Sequence, residues 1–227
     1  MAYSTTTIRD EFDRIAHVAD DDRWSQNNHY HDFLLRQVPK GCSRSLEVGC
    51  GTGGFSRLLA ARSESVLALD LSPEMIRLAH ERSREFKNID FQVAYVAACK
   101  LPFEEFDCIA TIATLHHLPF AETLSKMKRA LKPGGVLLML DLFEQEGIYD
   151  ALTSAVAAPV SVCLRLLNQR RLLAPVAVRA AWAEHEQYDS YLTLREVRAA
   201  CAELLPGARI RKHLLWRYSV IWKKVVV

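Results

Sequence analysis

The sequence has 227 residues, of which 50% are hydrophobic and 25% are charged, and its formal net charge at pH 7 is +2. This length and composition fit one globular domain, 1–227, with a sizeable core, and they argue against a second full domain. The small net charge lacks the basic excess that is typical of nucleic-acid-binding proteins, so we expect no nucleic-acid partner.

The first 40 residues are predicted to form a helical cap. One helical face carries Phe12, Ile15, Ala16 and Ala19. A second short helix is predicted over 31–38. The start of the chain lacks a basic segment followed by an apolar one, and no apolar run approaches the roughly 18 residues of a membrane span. We therefore expect a cytoplasmic protein without a membrane partner, either a monomer or a homodimer.

From residue 44 to residue 142, short apolar runs alternate with amphipathic helical segments. The predicted strands read SLEVG, SVLALD, IDFQVA, FDCIATI and GGVLLMLDLF. Strands that alternate with helices indicate βαβ units, with a parallel sheet covered on both faces and right-handed crossovers.

Residues 144–193 break this alternation with about 50 residues rich in Ala, Leu and Arg, where a simple α/β unit needs far fewer. We interpret this segment as a helical lid. Residues 194–227 are predicted to form a helix over 194–205 and two antiparallel strands joined by a tight turn near Trp216 and Arg217. The part from 151 onward holds 12 Lys/Arg against 5 Asp/Glu, which would attract an acidic substrate or form a solvated surface.

Six cysteines contain no C-x-x-C pair, and the chain has no His/Cys cluster at zinc-like spacing. They are interpreted as reduced thiols, as is usual in the cytosol. On this pattern we expect no metal site.

The segment LEVGCGTGG at 46–54 predicts a strand that runs into a glycine-rich turn and opens a helix. Gly49, Gly51 and Gly54 fit G-x-G-x-x-G, which on its own also suits a dinucleotide. Glu47 favours another ligand, because its carboxylate would repel a pyrophosphate but attract the cationic sulfonium and ammonium groups of S-adenosylmethionine. A glycine turn that only packs the helix on the strand is the structural alternative.

The next predicted strand ends at Asp70, 19 residues beyond Gly51. An adenosine ribose presents its hydroxyls at this place, and a carboxylate accepts both hydrogen bonds. Asp70 could instead cap the following helix, but Ser72 before Pro73 already suits that role.

Four segments in order resemble the class I S-adenosylmethionine-dependent methyltransferases, in their small-molecule branch. They read LEVGCGTGG (46–54), ALDLSPEMI (68–76), LPFEEFDCIATIATLHHL (101–118) and LKPGGVLLMLDL (131–142). The resemblance implies a Rossmann-like α/β fold with a doubly wound seven-stranded sheet of order 3-2-1-4-5-7-6 and an antiparallel last strand. It also implies that S-adenosyl-L-methionine is the cofactor and S-adenosyl-L-homocysteine the product.

The resemblance also places residues around the cofactor. The backbone at Gly49 and Thr111 would hold the methionine ammonium, and Leu71 and Met75 would flank the adenine. Together with the electrostatic argument for Glu47, the predicted cofactor-binding residues are Tyr30, Glu47, Gly49, Gly51, Gly53, Asp70, Leu71, Met75, Ala97, Ala98 and Thr111.

Two of these assignments depend on details of the segments that carry them. Family members usually have an Asp before the LPF segment that accepts the adenine amino group, and this sequence has Ala97 there. The main chain around Ala98 and Cys99 would then recognise adenine. The resemblance places the N-terminal segment over the cofactor, and Tyr30, in its polar NNHYH stretch, is predicted to cover the site and donate a hydrogen bond to the cofactor.

Methyl transfer from a sulfonium is an in-line displacement, so the protein mainly aligns the nucleophile and excludes water. A general base helps where the acceptor must lose a proton. His116 and His185 are the candidate catalytic residues, although His116 could line the pocket with His117 and His185 could lie on a solvated helix. Trp182, Tyr188 and Tyr191 would offer flat surfaces to an acceptor or pack in the core.

The sequence therefore predicts methyl transfer to an oxygen or nitrogen of a small-molecule metabolite. One alternative is a non-catalytic module that binds S-adenosylmethionine. The other is an RNA methyltransferase that uses the basic C-terminal part, although the fourth-strand segment reads TIATLHH and lacks an N-P-P-Y motif.

Overall fold

The structure is a computed structural model that describes residues 5–19, 24–170, 173, 175–186 and 189–226. The helices are α1 Thr5–Ala16, α2 His31–Leu35, α3 Gly54–Ala60, α4 Pro73–Arg82, α5 Phe120–Ala130, α6 Gly147–Gln169, α7 Val176–Glu186 and α8 Leu194–Leu204. The strands are β1 Cys42–Val48, β2 Ser63–Asp70, β3 Ile89–Val93, β4 Phe106–Ile112, β5 Leu131–Asp141, β6 Arg209–His213 and β7 Arg217–Lys223.

The seven strands form one sheet in the order β3-β2-β1-β4-β5-β7-β6. Strands β1 to β5 pair in parallel, and β7 runs antiparallel to both β5 and β6. The Rossmann-like fold and strand order expected from the sequence are confirmed. Trp216 adopts a positive φ of 54° in the turn between β6 and β7, which lets the chain reverse within a few residues.

The core lies in the central strands, which are covered by helices on both faces. Leu46 of β1, Ile109 of β4 and Leu137 of β5 are each 0% exposed. Burying a leucine side chain stabilises the fold by roughly 1.5–3 kcal/mol, which explains why these strands read as continuous apolar runs.

The parallel strands bring their carboxyl ends to one edge of the sheet, where the chain must turn sharply. Gly49 follows β1 with a φ of 75°, and a Cβ at this position would overlap the side chain of Thr114. Only glycine fits both the positive φ and the close approach. The glycine-rich turn is therefore locked against the segment that follows β4.

Several predicted bounds shift. Helix α2 ends at Leu35 rather than near residue 38, because 36–38 form a turn. Strand β5 begins at Leu131, before the predicted GGVLL run.

The lid segment contains α6, a single helix of 23 residues. In the part of the chain that the structure describes, α6 alone is long and apolar enough to cross a membrane by length and composition, with a mean hydropathy of 1.4 and 11% of its most apolar window buried. The expectation that no apolar run approaches this length was wrong. Thr and Ser interrupt the run, but Asp150 and Arg165 are its only charged residues.

Candidate active site

A cavity of about 860 Å³ opens at the carboxyl edge of the sheet. The glycine-rich turn and the ends of β2 and β4 form one side, and α1, α6 and α7 contribute the other. Its volume lies within the range of roughly 300–1,000 Å³ that is usual for small-molecule and cofactor sites. Among the predicted cofactor-binding residues, those that line it are Glu47, Gly49, Gly51, Asp70, Leu71 and Met75.

Asp70 connects the glycine-rich turn to the end of β2. One of its carboxylate oxygens accepts a hydrogen bond from the Gly51 N–H at 2.7 Å, and the other accepts one from the Ser72 N–H at 2.9 Å. Burial raises the pKa of the Asp70 carboxyl, and these backbone hydrogen bonds oppose that rise. The carboxylate is therefore held in a fixed orientation at the cavity wall, where it can accept hydrogen bonds from a pair of ribose hydroxyls.

The N-cap of α4 leaves Asp70 available for this role. The Ser72 hydroxyl accepts a hydrogen bond from the Met75 N–H at 3.0 Å, as the sequence predicted. The side chain of Met75 is buried beneath the same wall.

Glu47 lies at the end of β1 and is only 2% exposed. The Ser56 hydroxyl donates to its Oε2 at 2.5 Å. Burial, with a smaller contribution from the charge of Asp70, raises the pKa of Glu47 to about 8, against the opposing effect of the Ser56 hydrogen bond. At neutral pH the ligand-free protein therefore holds a proton on Glu47, which a cationic ligand group would displace.

The position of Tyr30 does not support its predicted contact with the cofactor. Its hydroxyl accepts a hydrogen bond from the Leu215 N–H at 3.2 Å, and its ring packs 4.6 Å from that of His213. Its neighbours Asn28 and His31 line the cavity instead. Tyr30 fastens the N-terminal segment to the turn between β6 and β7.

Gly53 and Thr111 also lie outside the cavity lining. A Cβ on Gly53 would lie 2.9 Å from the ring of Phe91, so this glycine allows α3 to pack closely. Thr111 is 1% exposed inside β4, where it pairs with Val48 and Met139. The cavity is bordered by the next three residues, 112–114, because β4 ends at that point.

The predicted adenine contacts at Ala97 and Ala98 are displaced by a few residues. After β3 the chain turns, and the Ala98 N–H donates to the Tyr95 carbonyl at 2.9 Å. The Lys126 ammonium donates to the Ala97 carbonyl. The cavity is lined there by 94–96, and Ala97 and Ala98 lie outside its lining.

His116 lies just after β4 and faces Asp141 at the end of β5. Their Nδ1 and Oδ1 atoms are 2.6 Å apart, and the Leu142 N–H donates to the same oxygen at 2.8 Å. Asp141 is 1% exposed. In the tautomer whose Nδ1–H donates to this buried carboxylate, the Nε2 lone pair of His116 is available to take a proton.

His185, in α7, belongs to the same wall. Its Nδ1 lies 3.0 Å from the Glu11 carboxylate of α1, and both side chains are buried. The ring of Phe12 packs 4.8 Å from that of His185. The alternative interpretation, that His185 lies on the solvated side of a helix, is therefore wrong. His185 is buried where the lid helix α7 contacts the N-terminal helix α1.

Asp189 lies among three imidazoles. The distances from its carboxylate are 3.9 Å to His116 Nε2, 3.5 Å to His117 Nδ1 and 3.7 Å to His185 Nε2. The Tyr191 hydroxyl donates to Asp189 at 2.7 Å. This carboxylate lines the cavity where the core meets the lid.

The described residues include one group with donor atoms close enough for a metal ion. His116, His117 and Asp189 each offer a donor atom within 4.8 Å of the others. Burial, followed by repulsion from His116 and His185, lowers the pKa of His117 to about 2, so its ring is neutral. The cluster escaped the sequence analysis because Asp189 is more than 70 residues from the two histidines.

Two of the three aromatic residues that were predicted to face an acceptor line the cavity. Trp182 and Tyr191 line the cavity, as does Phe12, while Tyr188 lies outside the described residues. Sequence reasoning missed Glu11, Phe12 and Asp141. Only Asp141 carried a signal, because it ends the strand beside β4 and so falls at the carboxyl edge of the sheet.

The comparisons with known proteins agree with this geometry. A family model described as a methyltransferase domain matches residues 46–139. An uncharacterized methyltransferase of Mycobacterium tuberculosis is 32% identical over 212 residues, which cover 91% of this chain and all of that protein. A ubiquinone biosynthesis O-methyltransferase of Xylella fastidiosa is 29% identical over 159 residues, which cover 68% of this chain and 64% of that protein.

Among solved structures, one similar chain is phosphoethanolamine N-methyltransferase 2 of Haemonchus contortus in complex with phosphomonomethylethanolamine and S-adenosylhomocysteine. It has a TM-score of 0.64 and 17% identity, and the match covers 88% of this chain and 53% of that one. The likeness shows a shared fold.

The chain thus belongs to the class I S-adenosylmethionine-dependent methyltransferases. It is an enzyme of that family, and S-adenosylmethionine is its cofactor. The residues fit this group, because Asp70 and Glu47 place carboxyl groups beside the turn at Gly51. Apart from the chain neighbours of Gly51, no atom of the described residues lies within 4 Å of where its Cβ would stand, so a ligand can approach the backbone there.

Proposed function

We propose that the enzyme transfers the methyl group to an oxygen or nitrogen of a small-molecule metabolite held against His116. The observation that carries this proposal is the buried pair of His116 and Asp141 at the cavity wall, with Nδ1 and Oδ1 2.6 Å apart. The relative named for ubiquinone biosynthesis supports an oxygen nucleophile as one case.

The cofactor supplies an activated methyl group on a sulfonium when it is bound. The task of the protein is then to align the acceptor, exclude water and take a proton where one must leave. The His116 Nε2 accepts the proton of the acceptor hydroxyl or amine, and its ring becomes an imidazolium. The Asp141 carboxylate stabilises that positive charge through Nδ1–H.

The lid side of the cavity favours an acceptor with a flat apolar part. Phe12, Trp182 and Tyr191 offer ring surfaces, and Arg165 and Arg179 border the same space with positive charge. Aromatic rings stack on flat ligands, and guanidinium groups bind acidic or polar substituents. We therefore place an aromatic or amphipathic acceptor with polar substituents first in a substrate screen.

The first experiment is a calorimetric titration with S-adenosylmethionine and S-adenosylhomocysteine, with NADH as the control ligand. An acceptor screen with radiolabelled methyl donor follows, and His116→Gln is tested on any acceptor found. We expect a loss of about 10²–10⁴-fold in kcat with little change in cofactor affinity, because a general base acts only on the acceptor.

A matched control is His17→Gln, which changes an exposed histidine outside the cavity lining. Its kcat should equal that of the wild type. If His116→Gln retains full kcat at every pH, the proton is not taken by His116 and this assignment fails.

A further inference from the structure

Helix α6 packs on the body of the protein through its small and polar residues. Ala157 and Ser161 are its buried positions. The Gln26 side chain donates to the Ser161 hydroxyl at 3.3 Å, and the Trp216 indole N–H donates to the Ser154 hydroxyl at 3.0 Å. Near the helix start, Asp150 forms an ion pair with Lys212. These residues share one side of the helix at 3.6 residues per turn.

The opposite side of α6 carries its large apolar residues, and they face away from the protein. Seven of them are between 45% and 81% exposed: Ile148, Tyr149, Leu152, Val156, Val162, Leu166 and Leu167. A surface helix of a globular protein normally turns its apolar stripe toward the core. In α6 that orientation is reversed.

The reversed helix continues into the rest of the lid. Leu173 and Val176 are 61% and 72% exposed, and Trp182 of α7 is 41% exposed. Soluble monomers rarely expose a contiguous apolar patch larger than a few hundred Å² unless a partner or a membrane covers it. We name the exposed apolar side chains of α6, with Leu173 and Val176 that follow it, the apolar lid face.

The charge of the segment indicates what covers the apolar lid face. Residues 151–183 contain four arginines and no Asp or Glu. Arg170, at the end of α6, and Arg179, in α7, are both exposed. Arginines lie in the last turns of α6 and just beyond it, the exposed Tyr149 lies near its start, and the acidic residues Glu144, Glu146 and Asp150 lie at its N-terminal end. An exposed apolar helix with arginines on one side shares these features with interfacial helices on anionic lipid.

We propose that the apolar lid face docks on the surface of an anionic lipid bilayer. Helix α6 lies in the interface and does not span it, because Ser154, Ser161 and Asp150 hold it on the protein body. Its apolar arc covers about half of the helix circumference, which suits a flat lipid surface.

A second copy of the chain fits this face less well. A helix of 23 residues is about 34 Å long and about 10 Å wide, so pairing α6 with its copy would cover roughly 350 Å² per partner. A stable interface needs about 800 Å² per partner. The copy would also bring the same arginines from 151–183 and no carboxylate from that segment to neutralise them.

Docking would place the cavity at the membrane. Arg165, Gln169, Val178, Arg179 and Trp182 belong to this lid and also line the cavity. In a docked enzyme, a lipid-soluble acceptor can reach the cavity from the bilayer on this side. This step rests on the proposed function, and it narrows the acceptor to an amphipathic molecule that partitions into lipid.

The test is co-sedimentation of the full chain with vesicles of phosphatidylcholine alone and of phosphatidylcholine with phosphatidylglycerol, at low and at high salt. We expect binding to the anionic vesicles that weakens at high salt. The double substitution Leu152→Gln and Val156→Gln should weaken it by about tenfold or more, since two exposed apolar side chains lose their lipid contact. Arg170→Gln should weaken it about fivefold, on anionic vesicles only.

The matched control is Phe103→Gln with Val225→Gln, two residues that are 73% and 65% exposed and lie outside the lid. Its vesicle binding should equal that of the wild type. The proposal is overturned if the wild type does not sediment with anionic vesicles, or if the control loses as much binding as the lid variant. Light scattering that shows a dimer, converted to a monomer by Leu152→Gln and Val156→Gln, would overturn it in favour of a second copy.

Titration of S-adenosylmethionine without vesicles separates this proposal from the proposed function. The lid variants should bind the cofactor as the wild type does, because Leu152 and Val156 do not line the cavity. Cofactor binding without vesicle binding rejects only the docking surface. Vesicle binding together with a full kcat in His116→Gln rejects only the role of His116 as proton acceptor.

Discussion

Strand β5 and helix α6 follow each other in the chain and place their apolar side chains in opposite environments. The leucines of β5 at 137, 138 and 140 are 0% exposed, whereas those of α6 at 152 and 167 are 60% and 73% exposed. Both elements are apolar in sequence, so hydrophobicity alone does not tell where a side chain lies. What differs is the neighbour, since helices cover both faces of the sheet but nothing in the described chain covers the outer side of α6.

The same contrast separates the two walls of the cavity. The cofactor wall is formed by backbone turns and by carboxylates at strand ends, and it is fixed by the buried sheet. The wall on the lid side is formed by α1, α6 and α7, of which α1 and α7 meet through Glu11 and His185. The wall beside the sheet suits a ligand that is the same throughout a family. The wall on the lid side can carry different side chains without disturbing the core.

The largest expected effect is on stability, and it tests the contrast directly. Leu137→Ala should lower the free energy of unfolding by about 2–5 kcal/mol, because it leaves a cavity in a fully buried strand. Leu152→Ala should change it by less than about 0.5 kcal/mol, because that side chain is exposed in the free protein. Urea unfolding monitored by circular dichroism measures both. Equal losses would mean that α6 is covered in solution.

The next effect concerns the cofactor wall. Asp70→Ala should weaken S-adenosylmethionine binding by about 1–3 kcal/mol through loss of a charged hydrogen-bond acceptor. Calorimetry measures the change, and Asp90→Ala, in the neighbouring strand β3 but outside the cavity lining, serves as the control. An unchanged affinity in Asp70→Ala would contradict the placement of the ribose.

How much of this site the sequence could predict depends on how far apart in the chain the contacting residues are. The glycine-rich turn and Asp70 could be assigned because local backbone rules and strand order bring them together. Glu11 and His185 are 174 residues apart and meet only through the packing of α1 on α7, which no local pattern encodes. The contact of Tyr30 with Leu215 could not be predicted for the same reason, since Leu215 lies in a distant turn.

The pH dependence of cofactor binding probes Glu47. A cation bound beside this carboxyl favours its ionised form, so binding below the free-state pKa of about 8 requires release of a proton. Affinity for S-adenosylmethionine should therefore rise with pH up to about 8, by at most about tenfold per pH unit, and then level off. Glu47→Gln should bind more weakly and flatten this profile. A wild-type profile that is flat from pH 6 to pH 9 would show that no cation lies at Glu47.

The last effect is on the stability of the ligand-free protein, and it arises from the same carboxyl. The folded-state pKa of Glu47 lies above its ordinary value of 4.5, so the folded protein binds more protons than the unfolded chain between that value and about 8. Stability from this group is therefore complete at low pH and is lost as the pH rises through that window. Glu47→Gln removes the loss, so its melting temperature should fall less between pH 6 and pH 9 than that of the wild type. Differential scanning calorimetry measures the difference. If the variant is less stable than the wild type at pH 9, then the hydrogen bond between Ser56 and the ionised Glu47 stabilises the folded protein. In that case the buried carboxylate does not lower the stability at high pH.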